Sequence, residues 1–180
     1  MSAQNRYGYS TPIGAAGGIV DLAPYAIDTF LNEEENGVMK FGVGVVKGSK
    51  PGINAALPET AATAADFEGV VTNNRTTEYD MDGNLAIRKG ASMGVMRYGR
   101  IYARVVNGVK PAYGDPVYLI TSGENAGYFT NSADATGESD DEEEDTGSTA
   151  TTVAVKARFL GGVDATAQIA VIELFNQNQA

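Results

Sequence analysis

The sequence predicts a mainly β protein, a barrel or sandwich of short antiparallel strands with an extended N-terminal arm and an acidic loop. Three observations predict this class. Glycine accounts for 22 of 180 residues, well above the usual ~7%, which suits a chain with many turns. From Asp66 onward, short runs of β-branched and aromatic residues alternate with turn dipeptides. No long stretch repeats its apolar residues at the helical period.

The chain length of 180 residues suits one domain with an arm. Residues 1–25 combine small residues and scattered aromatics with no period of 2 or 3.6, so we interpret them as an extended arm. Residues 26–180 then form a single β-rich domain, which contains a flexible acidic loop at 132–151. The run GESDDEEEDTGS within that loop holds seven carboxylates, which carry most of the formal charge of −10 and leave −3 for the rest (−10 + 7). Neighbouring like charges ~5 Å apart repel by about 0.8 kcal/mol in water, which keeps the loop solvated and extended.

The segment MKFGVGVVKGS at residues 39–49 tests the fold class, because its glycines resemble a phosphate-binding loop. In such a loop a lysine follows the last glycine, whereas Lys47 precedes Gly48 here. Two prolines and no helical pattern follow, so no helix N-terminus is available to bind phosphate. We therefore predict a strand at Val38–Val46.

The remaining strands follow in order along the chain. Residues 26–35 form a short helix or strand, and 48–65 form an irregular connection. Asp82-Gly83 and Asn107-Gly108 predict hairpin turns. The other predicted strands are Phe67–Asn73, Thr76–Met81, ASMGVM and RIYARVV on either side of Tyr98-Gly99, Asp115–Ile120, Ala126–Asn131, TTVAVKARFLGG and AQIAVIELF.

Composition excludes several classes of function. There is no cysteine and no histidine, which excludes disulfides, thiolate metal sites and a Ser-His-Asp triad. The net negative charge disfavours nucleic-acid binding, which depends on Lys and Arg neutralising phosphates. No signal peptide and no apolar run of membrane-spanning length are visible. We predict no catalytic residues, no cofactor, no metal and no membrane partner.

Three weaker patterns keep other functions open. Asp80, Asp82 and Asn84 resemble a calcium loop, but the spacing fits a hairpin turn better. Glu78 and Asp80 have the chemistry of an acid–base pair, which leaves a carboxylate-based glycan hydrolase or a carbohydrate-binding module as alternatives. Aromatics interleaved with arginines resemble a base-stacking surface, and we interpret them as core or interface instead: Tyr98, Tyr102, Tyr113, Tyr118, Tyr128, Arg97, Arg100 and Arg104.

The order of the segments carries a family resemblance. The chain contains, in succession, GGIVDL from Gly17, MKFGVGVVKG, FEGVV, GASMGVMRYGRIYARV, YGDPVYLITSG, GYFTN, VKARFLGG and IAVIEL. This succession resembles the structural cement, or head-decoration, proteins of tailed bacteriophages over residues 17–175. The acidic insertion between Asn131 and Thr151 departs from that pattern, and we expect it to point into solvent.

The resemblance implies a non-enzymatic virion protein, made in the bacterial host cytoplasm and placed on the outer capsid surface. It implies binding to an expanded capsid, where the protein bridges and stabilises neighbouring major capsid protein subunits as a homotrimer at local three-fold positions. A phage tail or baseplate component is the alternative among structural proteins. An arm that orders on binding needs apolar anchors, because ordering costs conformational entropy. The candidate partner-binding residues are Tyr7, Tyr9, Pro12, Ile13, Ile19 and Leu22.

Overall fold

A computed structural model describes residues 14–73, 87–133, 151–164 and 168–176 of the chain. Within these residues the protein is built from strands and one short 3-10 helix, which confirms the predicted fold class. The strands are β1 (Ala26–Asn32), β2 (Gly44–Lys47), β3 (Asn54–Ala56), β4 (Phe67–Val71), β5 (Ser92–Arg104), β6 (Pro116–Ile120), β7 (Phe129–Thr130), β8 (Thr152–Asp164) and β9 (Ile169–Leu174), and the 3-10 helix spans Ala64–Asp66. No helix in the described ranges is long and apolar enough to cross a membrane.

The first five strands form a closed barrel. They are hydrogen-bonded in the order β1-β3-β2-β4-β5, and β5 pairs with β1 again to close the ring. The β1–β3 pairing is parallel and joins only Leu31 to Asn54 and Asn32 to Ala55. The four other pairings of the ring are antiparallel. On the β3 side of β1 the ladder therefore covers only the last two residues of the strand.

The second half of β5 belongs to another sheet. Residues Gly99–Arg104 pair with β9, and the sheet continues through β8 and β6 to β7. An isolated bridge from Phe129 to Val105 brings the last strand back beside the end of β5. Thus β5, with 13 residues, holds the barrel and the second sheet together.

Two apolar cores lie on opposite sides of the barrel wall. Met93 and Val95 of β5 pack inside the barrel, whereas Met96 and Ile101 pack in the core shared with the second sheet. Four consecutive residues of β5, Met93–Met96, are buried, because both faces of this strand are covered. A strand buried on both faces reads as a continuous apolar run instead of an alternating one.

The glycine-rich segment at residues 39–49 is correctly predicted as β structure, but its strand is shorter than expected. The predicted strand at Val38–Val46 begins only at Gly44, because Gly42 has φ of 78° and turns the chain. A side-chain carbon at Gly44 would lie 2.5 Å from Cδ1 of Leu119. Gly44 is therefore the point at which the second sheet packs directly on the barrel wall.

Two other predictions need correction. The runs ASMGVM and RIYARVV form one continuous strand, with Gly99 at φ 120° as a bend inside it. Asn107-Gly108 is a turn, but it does not connect a hairpin, since β5 and β6 are separated by β9 and β8. The predicted strand Thr76–Met81 and the Asp82-Gly83 turn lie outside the described residues.

Candidate functional site

Four of the six predicted partner-binding residues, Tyr7, Tyr9, Pro12 and Ile13, lie outside the described part of the chain. The other two, Ile19 and Leu22, lie three residues apart in the segment before β1. Ile19 forms an isolated bridge with Ile101 of β5 and is 39% exposed. Leu22 is 95% exposed, so its whole side chain is available to a partner.

The segment Gly14–Tyr25 lies along the edge of β5. The Gly17 N–H donates to the Tyr102 carbonyl at 2.7 Å, and the Tyr102 N–H donates to the Gly18 carbonyl at 3.0 Å. Val20 continues the pairing with the Arg100 carbonyl. At Gly14 an added side-chain carbon would lie 2.5 Å from the Tyr102 ring, so the chain runs directly over that ring. The chain before Gly14 thus departs from the outer face of the second sheet.

A row of charged side chains crosses this outer face. The register aligns Arg100 of β5, Glu173 of β9 and Arg158 of β8 side by side. Arg100 Nε lies 3.0 Å from Glu173 Oε1, and Arg158 Nη2 lies 2.6 Å from Glu173 Oε2. Arg100 also reaches Asp21 Oδ2 at 2.8 Å, which ties the N-terminal segment to the row. Two arginines and two carboxylates therefore form one neutral, fully paired network.

The ionisation of Glu173 follows from this network. Burial of the carboxylate raises its pKa, but hydrogen bonds from Arg100 and Arg158 outweigh burial, so the pKa lies below its ordinary 4.5. The same contacts with Glu173 and Asp21 raise the pKa of the Arg100 guanidinium. The network is thus charged throughout the neutral range, and it holds both arginines in one orientation.

Aromatic side chains flank the end of the charged row. The Arg158 guanidinium lies 5.8 Å from the centre of the Tyr113 ring and 5.7 Å from the centre of the Phe175 ring. Both distances are within the range of cation–π attraction. Tyr113 is 71% exposed and Phe175 is 41% exposed. An arginine held between two exposed rings presents a rigid surface with a low entropic cost of binding.

We call this surface the aromatic–arginine strip. It runs from the N-terminal segment across β5, β9 and β8, and it ends at the loop before β6. Tyrosine and arginine dominate the residues that carry most binding energy at protein interfaces, and the strip is rich in both. Its members are Leu22, Tyr25 and Tyr98, the charged residues Asp21, Arg100, Glu173 and Arg158, and the rings of Tyr113 and Phe175.

The sequence singled out part of the strip. It named Tyr98, Tyr113 and Arg100 among aromatics and arginines of a core or an interface, and all three lie on the outer face. It missed Arg158, Glu173 and Phe175, because these belong to strands far along the chain that only the β5-β9-β8 order brings together. No local spacing could have signalled that row.

Four carboxylates, those of Glu33, Glu34, Glu59 and Asp66, line a pocket near the end of β1. No group of three or more acidic side chains in the described ranges is placed to hold a metal ion. Glu33 accepts the Ser49 N–H and Glu34 accepts the Leu57 N–H. Glu33 thus holds the β2–β3 connection, and Glu34 the chain just after β3, to the end of β1. Glu78, Asp80, Asp82 and Asn84 lie outside the described residues.

Comparisons with known proteins agree with the fold and name a family. A capsid structure described as "The capsid of Myoviridae Phage XM1" contains a chain with a TM-score of 0.65 and 21% identity, and the match covers 97% of this chain and 98% of that one. No curated protein sequence matches. The family described as "Structural cement protein (E217 gp24/Pam3 gp6)" matches residues 3–175. The chain therefore belongs to the phage structural cement protein family, whose members are structural components of the virion.

Proposed function

We propose that this protein binds the outer surface of an expanded phage capsid and stabilises it by bridging neighbouring major capsid protein subunits. The observation that carries the proposal is the aromatic–arginine strip, which presents the residue types typical of interface hot spots in a fixed arrangement. Because its charges are already paired, the strip can be buried against a partner without leaving an uncompensated charge. Family membership supports the capsid as the partner.

The bridging step needs a second contact on the same molecule. The chain before Gly14 starts beside the strip, because Gly14 lies over Tyr102 while Asp21 is paired with Arg100. The strip would dock on one capsid subunit. The arm, through Tyr7, Tyr9, Pro12 and Ile13, would supply the second contact that links the protein to the neighbouring subunit, directly or through the copy bound there. Two linked contacts bind far more tightly than either contact alone, since the second one forms at a high effective concentration.

We further propose that the bound form is a homotrimer at local three-fold positions and that the protein has no enzymatic activity. Association of three copies would multiply modest contacts, as linked binding requires. The pairing of Glu33 and Glu34 with backbone N–H groups supports a structural role for these carboxylates. A hydrolase would instead lose turnover of a glycan when one specific carboxylate is removed.

Co-sedimentation of the purified protein with expanded, undecorated phage heads tests the proposal. Saturable binding at a fixed number of copies per capsid subunit is expected, and that number, with the mass of the bound form, tests the trimer. Absence of binding at any concentration would overturn the capsid proposal and favour a tail or baseplate role.

Deletion of residues 2–13 tests the arm. The deletion ends before Gly14, so it leaves the pairing of Gly17, Gly18 and Val20 with β5 intact. The shortened protein is expected to melt cooperatively and to bind heads at least 10-fold more weakly, because one of two linked contacts is lost. Unchanged affinity would remove the arm from the mechanism.

A further inference from the structure

Within the described parts of the chain, the outer edge of β1 has backbone groups without partners. Asn32 donates its N–H to Ala91 and accepts from Gly90, on the β5 side of the strand. Leu31 donates its N–H to Ile53 on the opposite side. Because backbone groups alternate along a strand, Thr29 and Ile27 direct their N–H and C=O groups to the same side as Leu31.

Strand β3 does not reach these groups. Its pairing with β1 starts at Leu31 and Asn54, and the chain before Asn54 turns away, since the Ile53 and Asn54 N–H groups both donate to the Lys50 carbonyl. Among the described residues, nothing pairs with the outer side of Ile27 and Thr29. Thr29 is exposed, and the apolar side chains of Leu31 and Ile53 next to it are 36% and 54% exposed.

Free sheet edges are usually protected by lysine, proline or a covering segment, because they pair readily with other chains. At this edge the residues are AIDTF. The Asp28 carboxylate is engaged with Arg97 at 3.0 Å. Neither a proline nor a lysine protects the position, and exposed apolar side chains continue the edge. Such an edge is suited to the addition of an extended segment through main-chain hydrogen bonds.

We propose that this edge of β1 receives the N-terminal arm of a second copy of the chain, with Tyr7–Thr11 as the added strand. The inference rests on the proposed binding role of the arm. The segment YGYST has strand-forming residues and places Tyr7 and Tyr9 on one face, which would lie beside Leu31 and Ile53. Pro12 then ends the pairing, since it has no N–H to donate.

The position of Gly14 favours a second copy over the chain's own arm. Gly14 lies over Tyr102, whereas Thr29 faces Gly94, eight residues away along β5. Ile19 pairs antiparallel with Ile101, so from Val20 back to Gly14 the chain runs away from Gly94. The chain's own arm would have to reverse its direction to reach Thr29, whereas the arm of another copy has no such constraint.

An arm-to-edge contact joins two different surfaces, so it is heterologous. Contacts of this kind generate closed rings when the rotation between copies permits it. Three copies joined head to tail would form the homotrimer proposed above without any contact between identical surfaces. The exchange would also explain how the barrel tolerates a closure of only two residue pairs at β1, because a partner strand would extend it.

The test uses the full chain and measures self-association by sedimentation, together with amide hydrogen exchange at residue resolution. As concentration rises, the Ile27 and Thr29 amides are expected to become protected in step with association. The Asp28 and Phe30 amides, which point toward β5, should be protected throughout. A peptide of residues 1–13 added in excess is expected to reverse the association at least 10-fold.

Thr29→Pro removes the outward N–H without removing a β1–β5 hydrogen bond, and proline is tolerated at such edge positions. It is expected to weaken self-association at least 10-fold, and Thr29→Lys should act in the same direction. Thr29→Val keeps the N–H and serves as the control, with an expected change below about twofold. Cooperative melting shows that each variant is folded.

Three results would overturn the inference. The full chain could remain a monomer with exchanging Ile27 and Thr29 amides. Association could persist in Thr29→Pro and Thr29→Lys, which would assign it to another surface. The peptide could fail to compete, which would point to pairing of two β1 edges. Binding to undecorated heads is measured separately, so failure of capsid binding with intact arm exchange would overturn only the proposed function.

Discussion

Arg97 and Arg100 lie three residues apart on β5, and each pairs with two carboxylates, yet their surroundings differ. Arg97 contacts Asp28 at 3.0 Å and Glu68 at 2.9 Å, and the Glu68 side chain is only 6% exposed. Arg100 contacts Asp21 and Glu173 on the outer face, and its own side chain is 38% exposed. The same chemistry therefore neutralises a buried carboxylate in one place and forms part of the proposed binding surface in the other.

The strand itself produces this difference. Arg97 lies at a β-bulge, between the Met96–Ile27 and Tyr98–Ala26 pairs, and from there its side chain reaches both Asp28 and Glu68. Arg100 lies beyond the bend at Gly99 and pairs with Glu173 of β9 at the solvent face of the second sheet. The Arg97 Nε atom is buried without a hydrogen-bond partner, and the contact with Glu68 Oε2 is an ion pair whose geometry is not that of a hydrogen bond. Arg97 thus neutralises the buried Glu68 carboxylate, whereas Arg100 pairs with the Asp21 and Glu173 carboxylates at the solvent face.

Removal of the Arg97 guanidinium is expected to have the largest effect. Arg97→Met should destabilise the protein by about 3–5 kcal/mol, because Glu68 would be left buried with no opposing charge. Denaturant unfolding measures the loss. Arg100→Met, the matched substitution at the solvent face, should destabilise the protein far less, because exposed ion pairs contribute little to stability.

Substitution of both partners sharpens the same comparison. In the double variant Arg97→Met with Glu68→Gln no buried charge remains, so the loss of stability should be smaller than for Arg97→Met alone. Equal losses of stability in Arg97→Met and Arg100→Met would contradict the distinction between the buried Arg97–Glu68 pair and the Arg100 pairs at the solvent face.

Substitutions in the aromatic–arginine strip are expected to affect binding instead of stability. Tyr113→Ala with Phe175→Ala should reduce affinity for undecorated heads about 30-fold, the size of one hot spot of ~2 kcal/mol. The free energy of unfolding should change by less than about 1 kcal/mol, because both rings are largely exposed. Val38→Ala, at a residue that is 45% exposed and lies outside the strip, is the control. Affinity that falls equally in the control would show that the strip is not the binding surface.

The comparison also shows which features of the fold can be predicted from the sequence. Turn glycines and β-branched runs predicted the class of the fold, and the strand at Phe67–Asn73 is present as β4. In the run RIYARVV, apolar and polar residues alternate as expected of a strand, and the buried residues are Ile101 and Ala103, whereas Arg104 is half-buried. These features depend on neighbouring residues, so local patterns were sufficient.

Features that depend on strand order could not be predicted in this way. Nothing near Arg97 in sequence indicates that its partner is the buried Glu68, 29 residues earlier (97 − 68). The division of β5 between two sheets was read as two strands, because Gly99 resembles a turn residue. The row of Arg100, Glu173 and Arg158 likewise exists only because β9 lies between β5 and β8.

The pH dependence of stability that arises from Glu173 is expected to be a smaller effect. Glu173 has a folded-state pKa below its ordinary 4.5, so its contribution to stability is present above that value and is lost as the pH falls through the folded pKa. Below pH 4.5 the wild-type protein should therefore lose about 1 kcal/mol more than Glu173→Gln. Thermal melting at a series of pH values measures the difference. Parallel pH profiles would show that Glu173 contributes no linkage.

The acidic run provides the smallest expected effect and a third kind of charged region. Deletion of Glu138–Asp145 removes seven carboxylates that lie outside the described residues. If the run is solvated, as its like charges predict, the free energy of unfolding should change by no more than about 0.5 kcal/mol. Affinity for heads should stay within about twofold. A large loss of binding would mean that the run contacts a basic partner surface, and clustered charge in this protein would then serve binding in two places. Unchanged binding would confine that role to the arginines and carboxylates that β5, β8 and β9 hold in register.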